Sequence, residues 1–322
     1  MRVGQNPAKF VNEVAQPAKI TVAVITYIPF LGGYYAESLD VLKVCLGSIL
    51  QNTDLSYDLL VFDNASCPEA RQYLRELHEQ GKIQFLWLSD KNIGKAGAWN
   101  IIFSGAPGEI IAYADSDVYF YPGWLSALVG VLEKFPNVGM VTGMPLSCPE
   151  TYCESTLEWA KTDPEVRFQE GNLLAWEDYW KHAQSLGKSE TEAQVLHRDH
   201  LDVSLDYRGL SVYVGAGHFQ FVAYKSVLQK ALPLPSRRPM GQVLALDQAI
   251  DRLGYLRLCT EQWWVQHLGN TLRLFEGALS GQKSLETSRP VKSRRKGLLR
   301  FSLLRKIVFW IYHKSFDLLY RN

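Results

Sequence analysis

The chain has 322 residues, enough for one large domain or a domain with an extension. Hydrophobic residues make up 47% and charged residues 21%, the profile of a soluble globular protein and not of a disordered or fibrous one. A formal net charge of +1 gives no global reason to expect nucleic acid as a partner.

Residues 1–18 read as a loose arm with no apolar core of the kind a signal peptide needs. The short β-branched run at 20–28 predicts a buried strand. Leu39, Leu42, Val44, Leu46, Ile49 and Leu50 then recur at near-helical spacing. Residues 57–66 read as a strand ending in polar turn residues. Residues 68–81 read as an amphipathic helix started by Pro68 and stopped by Gly81. Strands at 83–90, 109–117 and 137–145 alternate with helices at 94–106 and 122–136. Such alternation predicts an α/β fold, with a mostly parallel sheet and helices on both faces.

Residues 150–212 break the rhythm and read as helices and loops, an insertion in the domain. Strand character returns at 210–228. Residues 243–270 read as a helix, a strand and a polar turn. A Gly/Ser/Lys/Arg-rich linker spans 277–297, and the last segment, 298–322, is a basic amphipathic helix. From Val291 onward nine Lys and Arg residues face one acidic residue, Asp317. With Phe309, Trp310 and Tyr312 beside them, these charges suit an anionic bilayer surface. A helix packed on the domain with a solvated basic face is the alternative. No run of apolar residues is long enough for a transmembrane helix. Five scattered cysteines point to reduced thiols and a cytoplasmic setting.

The chemistry centres on Asp115 and Asp117, two carboxylates at the end of an apolar run. Like charges this close repel, so a positive group is expected between them. Hard oxygen ligands of this kind suit Mg²⁺ or Mn²⁺. The alternative is a polar strand end in which Asp117 caps a turn.

Taken together, "VFDNAS" at 61–66, "NIGKAGAWN" at 92–100 and "YADSDVYFYPGW" at 113–124 resemble the family 2 glycosyltransferases of the GT-A fold. The likeness is good over about 20–146 and weaker over 212–270. It implies a Rossmann-like, mixed and mostly parallel sheet over residues 1–276, with the insertion at 150–212 on the acceptor side and a C-terminal helical extension. It also implies transfer of a sugar, with inversion, from a nucleotide-sugar, most often UDP-linked, to a glycan or lipid-linked acceptor. The setting would be surface polysaccharide or glycoconjugate assembly, cytoplasmic and peripheral at the inner face of the cytoplasmic membrane.

Residue by residue, the resemblance gives Asp63 a hydrogen bond to the base and lays Thr26 and Tyr27 against the nucleotide. Asn92 and Gly94 shape a turn near it. Lys95 approaches phosphate or stays solvated, and Ser116 lies beside the nucleotide. Asp115 and Asp117 hold Mn²⁺ or Mg²⁺ together with His267. Asp247, at the start of a helix, is the catalytic base, with Asp251 the runner-up one turn later. Leu246 stands where the family often has Glu. His218 faces acceptor sugar or packs in the core. Two rivals are a nucleotidyltransferase, which wants an arginine in the loop after the first strand, and a non-catalytic nucleotide- or sugar-binding protein.

Overall fold

The computed structural model of the chain describes residues 3–240, 242–273 and 275. They fall in the first of two units, Met1–Leu279; the second is Ser280–Asn322. The expected linker at 277–297 and basic helix at 298–322 therefore lie outside the described residues. So does the membrane contact assigned to that helix. Among the described residues no helix is long and apolar enough to cross a membrane.

In chain order the elements are β1 (Ile20–Thr26), α1 (Ser38–Asn52), β2 (Tyr57–Asn64), α2 (Pro68–Glu79), β3 (Phe85–Ser89), α3 (Lys95–Gly105) and β4 (Ile110–Asp115). Next come β5 (Val118–Phe120), α4 (Trp124–Lys134), β6 (Val138–Thr142), α5 (Glu154–Thr162), β7 (Val166–Gly171), α6 (Trp176–Ser185) and α7 (Glu190–Asp199). The rest are β8 (Asp202–Tyr207), β9 (Leu210–Val214), β10 (Gln220–Tyr224), α8 (Lys225–Lys230), α9 (Leu244–Arg252), β11 (Leu256–Thr260) and β12 (Val265–His267).

The large sheet runs β3-β2-β1-β4-β10-β6-β11-β9-β8-β7. From β3 to β11 all strands point one way except β10, which is antiparallel to β4 and β6. The alternation implied the parallel strands, and the resemblance implied the mixed, mostly parallel centre that antiparallel β10 makes. The strands β9, β8 and β7 continue it as an antiparallel meander. Two of these strands, β7 and β8, come from the 150–212 segment, where the sequence suggested helices and loops. The strand-like run at 210–228 divides into β9, a loop, β10 and α8.

All seven residues of β1 are buried, as a strand covered on both faces requires. Its side chains alternate between two cores. Val22 and Val24 pack with Leu42 and Leu46 of α1, Leu74 of α2 and Leu128 of α4. Ala23 and Ile25 pack with Trp99 and Ile102 of α3, Leu228 of α8 and Leu246 of α9. Each Val, Leu or Ile side chain among them contributes about 1.5–3 kcal/mol when fully buried.

Gly139 on β6 marks where α9 comes closest. A Cβ there would lie 2.4 Å from Ile250 Cγ2 and 2.7 Å from Tyr255 Cβ. Gly139→Ala is therefore expected to destabilise the protein by about 1–3 kcal/mol through overpacking, read as a lower urea midpoint with unchanged slope.

Candidate active site

Register decides which side chains meet. Thr26 pairs with Asp63, and Ile25 with Asp115, so β1, β2 and β4 end at one edge of the sheet with both aspartates on it. Ligands of open α/β sheets bind beyond the carboxyl ends of the strands. After β4 the chain turns through Ser116 and Asp117 into β5. There β12 pairs with it, His267 opposite Val118, and Leu268 N–H donates to the Asp117 carbonyl at 2.7 Å. Residues 150 positions apart are thereby fixed side by side.

The positive group expected between the two carboxylates exists, as two side chains. Lys95, the first residue of α3, sets Nζ 2.6 Å from Asp115 Oδ2 and lies over the Trp99 ring at 5.0 Å. It is 7% exposed, which rules out the solvated lysine. The Tyr113 hydroxyl donates to Asp115 Oδ1 at 2.6 Å; burial, and then the Asp115 charge, hold that phenol well above its usual range. Asp115 thus gives both oxygens to protein partners.

Asp117 is placed differently. Its Oδ2 lies 3.3 Å from His267 Nε2, while Oδ1 is buried with no hydrogen-bond partner on another described residue. Burial opposes both charges. The attraction between the pair nevertheless lowers the Asp117 carboxyl and raises the His267 imidazole relative to their ordinary values. His267 Nδ1 is fixed by Ser185 Oγ at 2.8 Å, from the end of α6. His182, one turn earlier, stacks on Phe219 at 5.4 Å and meets His267 edge-on at 5.9 Å. Burial, then the neighbouring His267, push His182 down to about 3, so it stays neutral there.

These residues fit a divalent cation. Asp117 offers an unpartnered oxygen and His267 a ring nitrogen whose opposite edge is already held, the usual support for a ligating imidazole. Among the described residues no three His, Cys, Asp or Glu side chains form a complete cage.

Asp63 is fully buried. It accepts from Ser66 N–H at 3.1 Å and from Arg71 Nε at 2.8 Å, while Arg71 also reaches the Ser89 carbonyl. Ser66 Oγ in turn receives Ile28 N–H at 2.9 Å. In the structure Asp63 anchors the turn that ties the ends of β1, β2 and β3. Thr26 Oγ1 is buried with no hydrogen-bond partner among the described residues, and Tyr27 is exposed, edge-on to Tyr35. Ser116 sits half-buried between the two acids.

The Asn-x-Gly stretch is architectural as well. Asn92 Oδ1 receives Asn64 Nδ2 at 3.0 Å and Gly94 N–H at 2.8 Å. Gly94 has φ +75°, and a Cβ there would meet Arg238 O and Ser236 Oγ at 3.0 Å. Segment 234–239 therefore lies against the start of α3, where Lys95 N–H donates to the Pro239 carbonyl. Asn100 holds that segment with two bonds of 2.8 Å to the Leu234 backbone. Asn100→Ala leaves both backbone groups unpaired. The expected loss is about 1–3 kcal/mol, with faster hydrogen exchange at the Leu234 amide.

Asp247, the expected base, is 3% exposed. Its Oδ1 accepts from Arg257 Nη2 at 2.8 Å and its Oδ2 lies 2.8 Å from His218 Nδ1. Arg257 is 1% exposed and also donates to the carbonyls of Tyr152 and Ala216. Burial opposes its charge, but the Asp247 carboxylate keeps the guanidinium above its ordinary value. Asp247 is thus nearly closed off from solvent, with a partner on each oxygen. Asp251, the runner-up, is buried too and accepts from Ser155 N–H at 3.1 Å. The loop from Gly215 to Phe219 links the two ends of the site: the Phe219 carbonyl accepts from Asp115 N–H at 2.8 Å, and Phe219 lies 5.4 Å from His267. The sequence reading missed Arg71, Ser185, His182 and Arg257. Ser185 and His182 act on His267, far along the chain, whereas Arg71 and Arg257 hold Asp63 and Asp247 from 8 and 10 positions away.

The family model of glycosyl transferase family 2 matches residues 34–175. An uncharacterized glycosyltransferase of Nostoc sp. is 28% identical over 100 residues, which are 31% of this chain and 31% of that protein. The chain thus spans about a third of the length of this curated relative. Among solved structures, a mannosyltransferase from Pyrobaculum calidifontis in complex with GDP-Man and Mn²⁺ is 16% identical, with TM-score 0.45, over 78% of this chain and 56% of that one. GalNAc-T7 with UDP, GalNAc and Mn²⁺ is 13% identical, with TM-score 0.47, over 78% and 43%. The segment that carries Asp63, Lys95, Asp115 and Asp117 is the one the family model covers, and over it the chain is similar to glycosyl transferase family 2.

Proposed function

We propose that the protein transfers a sugar, with inversion, from a nucleotide-sugar to a hydroxyl of a glycan or lipid-linked acceptor, using a divalent cation held by Asp117 and His267. One observation carries this reading: the unpartnered, buried Asp117 Oδ1 at the carboxyl edge of the sheet, with His267 fixed beside it. A bare acid there wants a cation, and a diphosphate wants the same one. Bound there, a divalent ion supplies positive charge that offsets the charge developing on the leaving nucleoside diphosphate.

The chain's own residues do the rest. Lys95, held on Asp115 and over Trp99, adds a fixed positive charge at the same edge. The Asp63–Arg71–Ser66 turn and the Asn64–Asn92 bond fix the floor on which Thr26, Tyr27 and Ser116 face the nucleotide. A proton acceptor at the His218–Asp247 end takes the acceptor's hydroxyl proton. Inversion makes the new linkage β if the donor is α-linked. The UDP preference, a role in surface polysaccharide assembly and a peripheral site on the cytoplasmic membrane belong to this proposal as well.

The test is a panel of UDP-, GDP- and other nucleotide-sugars incubated with the protein and Mn²⁺ or Mg²⁺. Release of nucleoside diphosphate that EDTA abolishes supports the reading. Binding without turnover under any condition favours a non-catalytic binding protein. Release of pyrophosphate from a sugar phosphate and a nucleoside triphosphate favours the nucleotidyltransferase.

A further inference from the structure

We propose that the proton acceptor is Nε2 of His218, and that Asp247 is the residue that positions it. This rests on the glycosyl-transfer reading. Asp247 stands at the start of a helix, where a catalytic carboxylate is expected, but its side chain is only 4% exposed and both its oxygens are engaged. The His218 side chain is 30% exposed and is the outward member of the pair. A carboxylate can only accept, so the 2.8 Å contact makes Nδ1 the donor. A neutral imidazole with its proton on Nδ1 carries its lone pair on Nε2. Asp247 therefore selects the tautomer that has a base at the opposite ring edge.

The carboxylate is itself locked. Arg257 holds Oδ1 from the core and is anchored by two backbone carbonyls, so Asp247 has no freedom to rotate toward solvent. The edge of Trp99 packs against the His218 ring at 6.4 Å. The same Trp99 lies under Lys95, and the residue after His218 bonds the Asp115 backbone. The ring thus borders the acidic edge while reaching back to Asp247. A base oriented by a buried third group is the arrangement that activates a hydroxyl.

In the step, Nε2 takes the proton of the acceptor hydroxyl as its oxygen bonds to the anomeric carbon. The bond from that carbon to the diphosphate oxygen breaks, and its electron pair leaves with the nucleoside diphosphate. The proton on His218 then passes to water.

The experiment uses the full-length protein and the nucleotide-sugar that gives the highest turnover in the panel, with water as acceptor. Nucleoside diphosphate release is the readout. His218→Gln is expected to lower kcat by about 10²–10⁴-fold, with donor binding by calorimetry unchanged. His218→Gly should regain turnover when imidazole is added. Asp247→Asn, checked for folding by circular dichroism and for donor binding, should lose kcat and gain nothing from imidazole, because its histidine remains but is misdirected. If His218→Gln keeps wild-type kcat while folded Asp247→Asn loses it, Asp247 is the base and the proposal is wrong. If the wild-type protein neither binds nor turns over any nucleotide-sugar, the transfer reading itself fails, and this proposal falls with it.

Discussion

Arg257→Met should destabilise the protein by about 3–5 kcal/mol, because it strands a buried carboxylate. Asp247 is 3% exposed, and Arg257 is the only cation whose side chain meets it apart from the protonatable His218 among the described residues. Removing the guanidinium also leaves the Tyr152 and Ala216 carbonyls without their donor. Against a typical folding free energy of about 5–15 kcal/mol this is a large fraction. Methionine fills a similar volume, so cavity formation adds little. The double variant Arg257→Met/Asp247→Leu should recover much of the loss, since replacing a buried ion pair with apolar groups is often neutral. Urea denaturation of both variants measures it. A single variant as stable as wild type would mean that Asp247 is not charged in the fold.

Asp117→Asn should remove cation-dependent turnover by about 10²–10⁴-fold, the range corresponding to several kcal/mol of charge stabilisation in the transition state. The substitution keeps size and shape but halves the oxygen ligands and removes the charge. Folding should survive, because Oδ1 has no partner on another described residue to lose and the side chain is about one-third exposed. The same change at Asp115 is expected to act differently. Asp115 is bound to Lys95 and Tyr113, so Asp115→Asn releases a buried lysine and lowers stability as well as turnover. A thermal melt beside the turnover assay separates the two.

Much of the site was readable because it sits at strand ends. The apolar runs at 20–26 and 57–64 made the strands visible, and the polar residues just after them had to lie at one edge of the sheet. Asn92, Gly94, Ala98 and Asn100 were visible as a spaced set, though the sequence could not say that Asn100 holds the 234 backbone. Contacts set by pairing of distant segments were not readable. The resemblance of "WWVQHLGNT" set His267 beside the two aspartates, but nothing in those residues announces the pairing of β12 with β5 that brings it to Asp117. Nothing in the 150–212 segment marks Ser185 as the residue that fixes that histidine. Asp247 shows the limit most clearly. Its place was legible from the helix start, but its burial against Arg257 depends on a lone charged residue inside an apolar strand, β11. A charged residue in such a strand is the one signal that pointed to a buried partner.

Electron paramagnetic resonance of Mn²⁺ titrated into the protein with a nucleoside diphosphate tests the cation site directly, because free and bound Mn²⁺ give different signals. The account predicts that wild-type protein with UDP or GDP takes up one Mn²⁺ per chain, and that Asp117→Asn, folded and at the same concentration, takes up far less. Equal uptake by the two proteins, or none by the wild type with any nucleoside diphosphate, would contradict it.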